Sequence, residues 1–295
     1  MVLEVNTRVI ICKSYQKMIP FAKFYSLENQ SSISDWVEHL AARGRHSFSL
    51  KEVKDAFRDD TEAAIKLKLT RLVGKGKIIS ILKRYYLIIT PQYASRGILP
   101  PSLFIDGLMK FLERPYYVGL LNAASFHGAA HQQPQEYFVF TDFPSLRPTS
   151  KKGIRINYIS KKEIPATFLE KRKTETGFIN ISNPALTAMD LVQFDKRIGG
   201  LDRAATVLNE LAESINPEQI TESFLQAVPV AATQRLGFLL DVILKQDIGK
   251  HLYEVSQKAG LDFFRIPLKT STIKKGFPSD ERWKVIVNTE IEIDE

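Results

Sequence analysis

The sequence predicts an α+β protein, with an N-terminal winged helix-turn-helix followed by a larger α+β domain of mixed sheet and helices. Three observations support this. Helical spacing recurs three times between residues 32 and 74 and gives way to two β-branched runs joined by Lys83-Arg84. The formal net charge is +8, and residues 1–98 hold all of it, with 17 Lys and Arg against 9 Asp and Glu; the remainder holds 24 against 24. Beyond residue 100, short β-rich runs are followed by a long helical stretch, with no internal repeat. The division expected is an extension over 1–30, the winged helix over 31–95 and the α+β domain over 96–295, sizes that allow two hydrophobic cores.

Residues 1–30 show no clear period; Val9–Cys12 suggests a strand and Phe21, Phe24 and Tyr25 the start of a helix. From Ser32, the apolar residues Ile33, Trp36, Val37 and Leu40 recur at i, i+3, i+4 and i+7, and Ser32 or Ser34 supplies a cap. Ser49-x-x-Glu52 is a capping box that opens a second helix, with Val53, Ala56 and Phe57 facing inward. Asp59 or Asp60 is the expected cap of the third helix, whose inner face is Ile65, Leu69, Leu72 and Val73. At about 100° per residue, Ala63, Leu67, Thr70 and Gly74 face the other way, between Lys66, Lys68 and Arg71. Gly74-Lys75-Gly76-Lys77 turns the chain into strands over 78–82 and 85–89.

That arrangement points to double-stranded DNA. The third helix of such a unit enters the major groove, and its hairpin lies on the backbone. Basic side chains neutralise phosphates, which dominates affinity, while base edges carry the sequence information. The candidate DNA-binding residues are Ser49, Lys51, Ala63, Lys66, Leu67, Lys68, Thr70, Arg71, Lys75, Lys77, Lys83 and Arg84. Among them Ala63, Leu67 and Thr70 suit thymine methyls. The plainer alternative is a helix packed on both faces, with Leu67 meeting the second domain.

Residues 96–101 form the expected linker. A helix around 103–112 precedes the run 116–128, which ends as a small-residue helix at Gly128. Strands are expected at 136–141, 154–159 and 177–182, with the first two paired across the loop 144–152. Helices follow over 184–194 and, in three or four segments, over 201–259, broken near Asn216-Pro217 and Val228-Pro229. The tail returns to strand over 283–288 and 290–293. Within 147–173 the charge is locally strongly positive, through Arg147, Lys151, Lys152, Arg155, Lys161, Lys162, Lys171, Arg172 and Lys173 against Glu163 and Glu170. It suggests either a solvated strand edge kept charged against aggregation or a second basic surface made of Lys151, Lys152, Arg155, Lys161, Lys162, Lys171, Arg172 and Lys173.

Several chemistries lack their residues. The single cysteine, Cys12, excludes an intrachain disulfide and a Cys-rich zinc site and suits a reducing cytoplasm. No apolar run approaches a membrane span, and the N-terminus lacks the pattern of a signal peptide, so a cytoplasmic location is expected. His127 and His131 stand four apart, yet no carboxylate is near to complete a metal site and Gly128 interrupts the helix, so no metal and no cofactor are expected. No phosphate-binding Gly-Lys-Ser/Thr loop and no nucleophile elbow occur. Asp142, Glu170 and Lys171 follow a nuclease-like order, which keeps an enzyme delivered by a winged helix as one alternative. A ligand-sensing regulator is another.

The run Tyr116-Tyr117-Val118-Gly119-Leu120-Leu121-Asn122-Ala123-Ala124-Ser125-Phe126-His127-Gly128 is the most specific stretch. With the strand ending Tyr137-Phe138-Val139-Phe140-Thr141, the segment Thr187-Ala188-Met189-Asp190-Leu191, Gly199-Gly200 and Trp283-Lys284-Val285-Ile286-Val287-Asn288, it resembles the AbiEi antitoxins of type IV (abortive infection) toxin–antitoxin systems, over residues 31–295. The resemblance implies a non-enzymatic antitoxin and transcriptional repressor acting in phage defence. Its winged helix would bind inverted repeats upstream of its own operon. Its C-terminal domain would counteract a co-encoded nucleotidyltransferase-like toxin, AbiEii, without needing a stable complex with it. The extension over 1–30 and the Lys83-Arg84 tip depart from the family's pattern.

Overall fold

The computed structural model describes residues 32–129, 134–272 and 275–293. The strand and helix expected within 1–30 lie outside the described residues, as does His131.

The first lobe runs α1 (Ile33–Ala42), β1 (Ser47–Ser49), α2 (Leu50–Ala56), α3 (Glu62–Gly74), β2 (Ile78–Leu82) and β3 (Tyr85–Ile88). Its three strands form an antiparallel sheet in the order β1-β3-β2. Local chemistry sets each helix start. Ser32 caps α1 by accepting from the Asp35 N–H, and both halves of the Ser49–Glu52 capping box are made at the head of α2. At α3 the cap is Thr61, whose hydroxyl accepts from the Ala64 N–H, and not Asp59 or Asp60. Asp60 is one residue too early, and its carboxylate is held by Lys68 instead. Ile33, Trp36, Val37, Leu40, Phe48, Leu50, Val53, Ile65, Leu69 and Leu72 close over one another with Ile78 and Ile88 as the lobe's own core. Val73, expected on that face, is exposed, because α3 ends at Gly74 and its last turn outruns the core.

The second lobe is built on a six-stranded sheet in the order β6-β7-β5-β4-β9-β8. The chain runs α4 (Ile105–Phe111), β4 (Tyr116–Val118), α5 (Leu120–Phe126), β5 (Tyr137–Thr141), β6 (Thr149–Lys151), β7 (Ile154–Ser160), β8 (Leu169–Thr174) and β9 (Gly177–Ser182). Strand β5 pairs with β7 in parallel, since the 142–153 connection crosses over and places β6 as an antiparallel edge strand outside β7. Helices α6 (Pro184–Gln193), α7 (Leu201–Leu211), α8 (Glu222–Gln226), α9 (Val230–Phe238) and α10 (Asp247–Lys258) cover one face, with a π-helical segment at Leu239–Ile243. In the tail a two-residue parallel pair forms, β10 (Ile266–Pro267) with β11 (Val285–Ile286), and Ser279 bridges Ile286. The expected strand over 290–293 is absent.

The opposite face of the six-stranded sheet is covered by the first lobe. Ile79, Ile81, Tyr85 and Leu87 of the β2–β3 hairpin share one core with Ile105, Leu108 and Met109 of α4 and with Val118, Val139, Ile156 and Ile181 of the sheet. Residues 96–101, expected as a linker, contribute Ile98 and Leu99 to that core, both buried. Removing this much apolar surface from water couples the two lobes.

Candidate nucleic-acid interface and the polar centre of the second lobe

Most of the candidate DNA-binding residues stand in solvent on the first lobe. Lys51, Ala63, Lys66, Leu67, Thr70, Arg71, Lys75, Lys77, Lys83 and Arg84 are exposed, and Lys68 is half-buried. Leu67 is 53 % exposed and does not meet the second lobe. Ser49 lies apart from them, buried, with its hydroxyl engaged in the capping box.

Ion pairing sorts the cations. Lys66 lies 2.7 Å from Glu62 one turn back, and Lys54 binds the same carboxylate. The hydrogen bond from Lys54, then that from Lys66, brings Glu62 down to about 2. Lys68 holds Asp60 at 2.6 Å and Lys77 holds Glu38 at 2.6 Å. Lys51, Arg71, Lys75, Lys83 and Arg84 have no ion-pair partner among the described residues. The Lys83-Arg84 tip closes a two-residue turn, with Arg84 at φ 67° and its carbonyl accepting from the Leu50 N–H at the head of α2. Lys66 lies near enough to Tyr86 on β3 to oppose the rise that burial gives its phenol.

The second basic surface does not assemble. Lys151, Lys152 and Arg155 belong to the β6–β7 edge of the sheet, and Lys171, Arg172 and Lys173 to β8 at the other edge. Four to five inter-strand spacings separate them, roughly 19–24 Å. Arg155 is paired with Glu136, and Arg172 donates to the Phe126 carbonyl. Both sheet edges therefore carry charge, a pattern that discourages edge-to-edge aggregation. The trio Asp142, Glu170 and Lys171 is likewise dispersed: Arg114 grips Asp142 at 2.5 Å, while the other two ride on β8, three strands away.

Lys161 belongs to the interior. Its ammonium lies 2.7 Å from Asp190, whose side chain is fully buried, and 5.1 Å from the Phe140 ring centroid, with Tyr117 and Phe194 also in range. The Tyr117 hydroxyl donates to the other Asp190 oxygen at 2.8 Å. Burial pushes the Asp190 carboxyl up, opposed by Lys161 and then by Tyr117. Around this node Tyr117 and Phe140 stack at 4.6 Å, and a Cβ at Gly119 would collide with the Phe140 ring. The Asn122 side chain accepts from the Phe138 N–H and donates to the Glu136 carbonyl. His127 Nε2–H donates to the Ser182 carbonyl at 2.8 Å, and Ser182 and Thr187 share a 2.6 Å hydroxyl bond. Sequence inspection missed the Lys161–Asp190 pair. Its signal was Asp190 as the one charged residue of the largely buried helix α6, which needs a partner in the core.

No group of three or more His, Cys, Asp and Glu suited to a metal ion occurs among the described residues. None of their helices is long and apolar enough to cross a membrane. A cleft of about 430 Å³ between β1–α2 and α4 holds the Arg45–Glu52 and Lys110–Asp106 ion pairs, which leave its walls balanced in charge.

Tyr117, Asn122, His127, Thr187 and Asp190 all fall within residues 117–242, which match the family model of the AbiEi antitoxin C-terminal domain. The second lobe carries an AbiEi antitoxin C-terminal domain. The resemblance read from the Tyr-Tyr…His-Gly run thus holds over this segment, narrower than the 31–295 expected. The fold is similar to the crystal structure of the RV2827C protein from Mycobacterium tuberculosis, with a TM-score of 0.61 at 15% identity, covering 86% of this chain and 90% of that one. At that identity the likeness concerns the fold alone. No curated protein matches the chain. Tyr117, Asn122, Thr187 and Asp190 are buried and fasten α5 and α6 to the sheet.

Proposed function

We propose that the protein is an antitoxin of a type IV toxin–antitoxin system that also represses its own operon, with residues 33–88 acting as a winged helix-turn-helix on operator DNA. The antitoxin role rests on the AbiEi domain. The DNA-binding role rests on one observation: Lys51, Arg71, Lys75, Lys83 and Arg84 are exposed and lack ion-pair partners among the described residues, on a lobe with the helix–helix–hairpin order of a groove reader. In this reading α3 enters the major groove and the Lys83-Arg84 tip lies on phosphates of an inverted repeat. The AbiEi domain counteracts a co-encoded nucleotidyltransferase-like toxin in the cytoplasm, without a lasting complex and without catalysis of its own.

Fluorescence anisotropy with the duplex upstream of the protein's own reading frame tests the DNA half. Five phosphate contacts per copy predict a log–log salt slope of roughly −4 to −5. Alanine at the five unpaired cations should flatten it toward zero. A slope that persists in that variant would overturn the assignment. Co-expression with the neighbouring toxin gene tests the other half, and unrelieved growth arrest would overturn it.

A further inference from the structure

The centre of the surface that α3 offers to DNA is apolar, and this bears on which bases it reads. Leu67 is 53 % exposed on a helix whose opposite face, Ile65 and Leu69, is buried at 1 % each. Ala63 lies one turn before it and Thr70 one turn after, both exposed. The Thr70 hydroxyl donates to the Lys66 carbonyl at 2.8 Å, so its one proton is committed within the helix. Ala63, Leu67 and Thr70 therefore present no side-chain donor to a base edge. The neighbouring Lys66 and Lys68 are each tied to an acid of the same lobe. Arg71 in the last turn and Lys75 at the C-cap have no ion-pair partner among the described residues and match a phosphate backbone.

We infer that α3 selects thymine through its C5 methyl group, with Leu67 as the residue that sets the preference. This rests on the DNA-binding reading above. In the major groove only a T·A or A·T pair presents a methyl. A cytosine at the same place carries only a hydrogen at C5, so the leucine loses the methyl it would cover and the apolar area that goes with it. A leucine left half in solvent gains by covering a methyl, whereas a lysine or glutamine there would seek a purine edge.

Deoxyuridine tests this directly, because it removes the methyl and keeps the pairing, the charge and the hydrogen-bonding edges. The full-length protein is used to select duplexes from a random library, and each thymine of the selected site is then replaced singly by deoxyuridine. The expected result is roughly a fourfold loss of affinity for each methyl that Leu67 or its neighbours cover, at one or two positions per half-site. In Leu67→Ala the thymine-to-deoxyuridine ratio at the Leu67 position should fall to one, while Leu67→Met retains it. Placing 5-methylcytosine where a T→C change has weakened binding should restore part of the loss. Leu67 is exposed and outside the core, so the alanine variant keeps its fold, which an unchanged circular dichroism melt would confirm. Specific binding that is indifferent to deoxyuridine at every position would overturn the inference and leave operator binding intact. Equal deoxyuridine sensitivity in Leu67→Ala would overturn the assignment to Leu67. Failure to enrich any duplex would overturn the DNA-binding reading itself.

Discussion

Lys161 and Asp190 form a buried ion pair that joins the residue just past β7 to the middle of α6, 2.7 Å apart, with Tyr117 completing the carboxylate's shell. Burying two charges is costly, and their attraction offsets this only while both are present. Lys161→Met leaves a carboxylate in the interior with a single phenolic donor. It should lower stability by about 3–5 kcal/mol in urea unfolding. The Lys161→Met/Asp190→Leu double variant should recover most of that loss. A single variant within about 1 kcal/mol of wild type would show that the pair contributes nothing specific.

Trp283 packs its ring directly over Gly237 of α9, where any Cβ would overlap the indole. The indole is fully buried, its N–H donates to Asp241 at 3.0 Å, and its backbone carbonyl accepts from Gln234. Gly237→Ala should therefore destabilise by about 3 kcal/mol through overpacking. Combining it with Trp283→Phe should cost less than the sum of the two single changes, because the smaller ring vacates the space. Additive costs in thermal or urea unfolding would contradict the contact.

Much of the first lobe was legible in the sequence, because its information is local. The Ser49–Glu52 capping box and the 3.6-residue stripes of α1 and α3 are decided within a few residues of themselves. Thr61 displaced Asp60 as a cap through a competition of the same range, since Lys68 takes up the Asp60 carboxylate eight residues on. The second lobe was less legible because its decisions are long-range. Lys161 reads as one more cation in a basic stretch until Asp190, far along the chain, is folded against it. Whether Lys151 and Lys171 share a surface depends on strand order, which no periodicity encodes. Val73 fell on the correct face of the wheel and still lies exposed, because the wheel does not say where the core ends.

His46 and His127 set a stability change on the acid side of neutrality. Burial lowers both from the ordinary 6.5. Glu175 opposes the fall at His46, while at His127 the Ser182 carbonyl and Glu170 oppose it and Arg172 adds to it. A lowered histidine binds fewer protons folded than unfolded between its folded value and 6.5. Stability is therefore fully present above about 6.5 and declines as pH falls below it. The paired carboxylates Glu52 and Glu62 are lowered from 4.5, so they titrate below this window. His127→Gln keeps a donor for the Ser182 carbonyl and should flatten the decline between pH 6.5 and 5 in urea midpoints. An unchanged slope would assign the decline to His46 alone, and a wild type with no decline would refute both.

Arg71 and Lys68 lie on the same helix but differ in what already holds them. Lys68 is 2.6 Å from Asp60 and half covered, whereas Arg71 is exposed and without an ion-pair partner among the described residues. If α3 sits in the groove, Arg71→Ala should weaken operator binding by about tenfold or more, the scale of a lost charge-assisted hydrogen bond, and reduce the salt slope by about 1. Lys68→Ala should change affinity by less than about threefold, because its charge is already offset by a neighbouring carboxylate. Asp60→Asn should act in the opposite direction: it removes a negative charge beside the backbone, releases Lys68 and should tighten binding. Thr61 and not Asp60 caps α3, so the substitution spares the helix start. Anisotropy titrations of the three variants at two salt concentrations would show it. Equal losses from Arg71→Ala and Lys68→Ala would mean that the ion pair opens on DNA and that pairing in the free protein does not predict which cations bind.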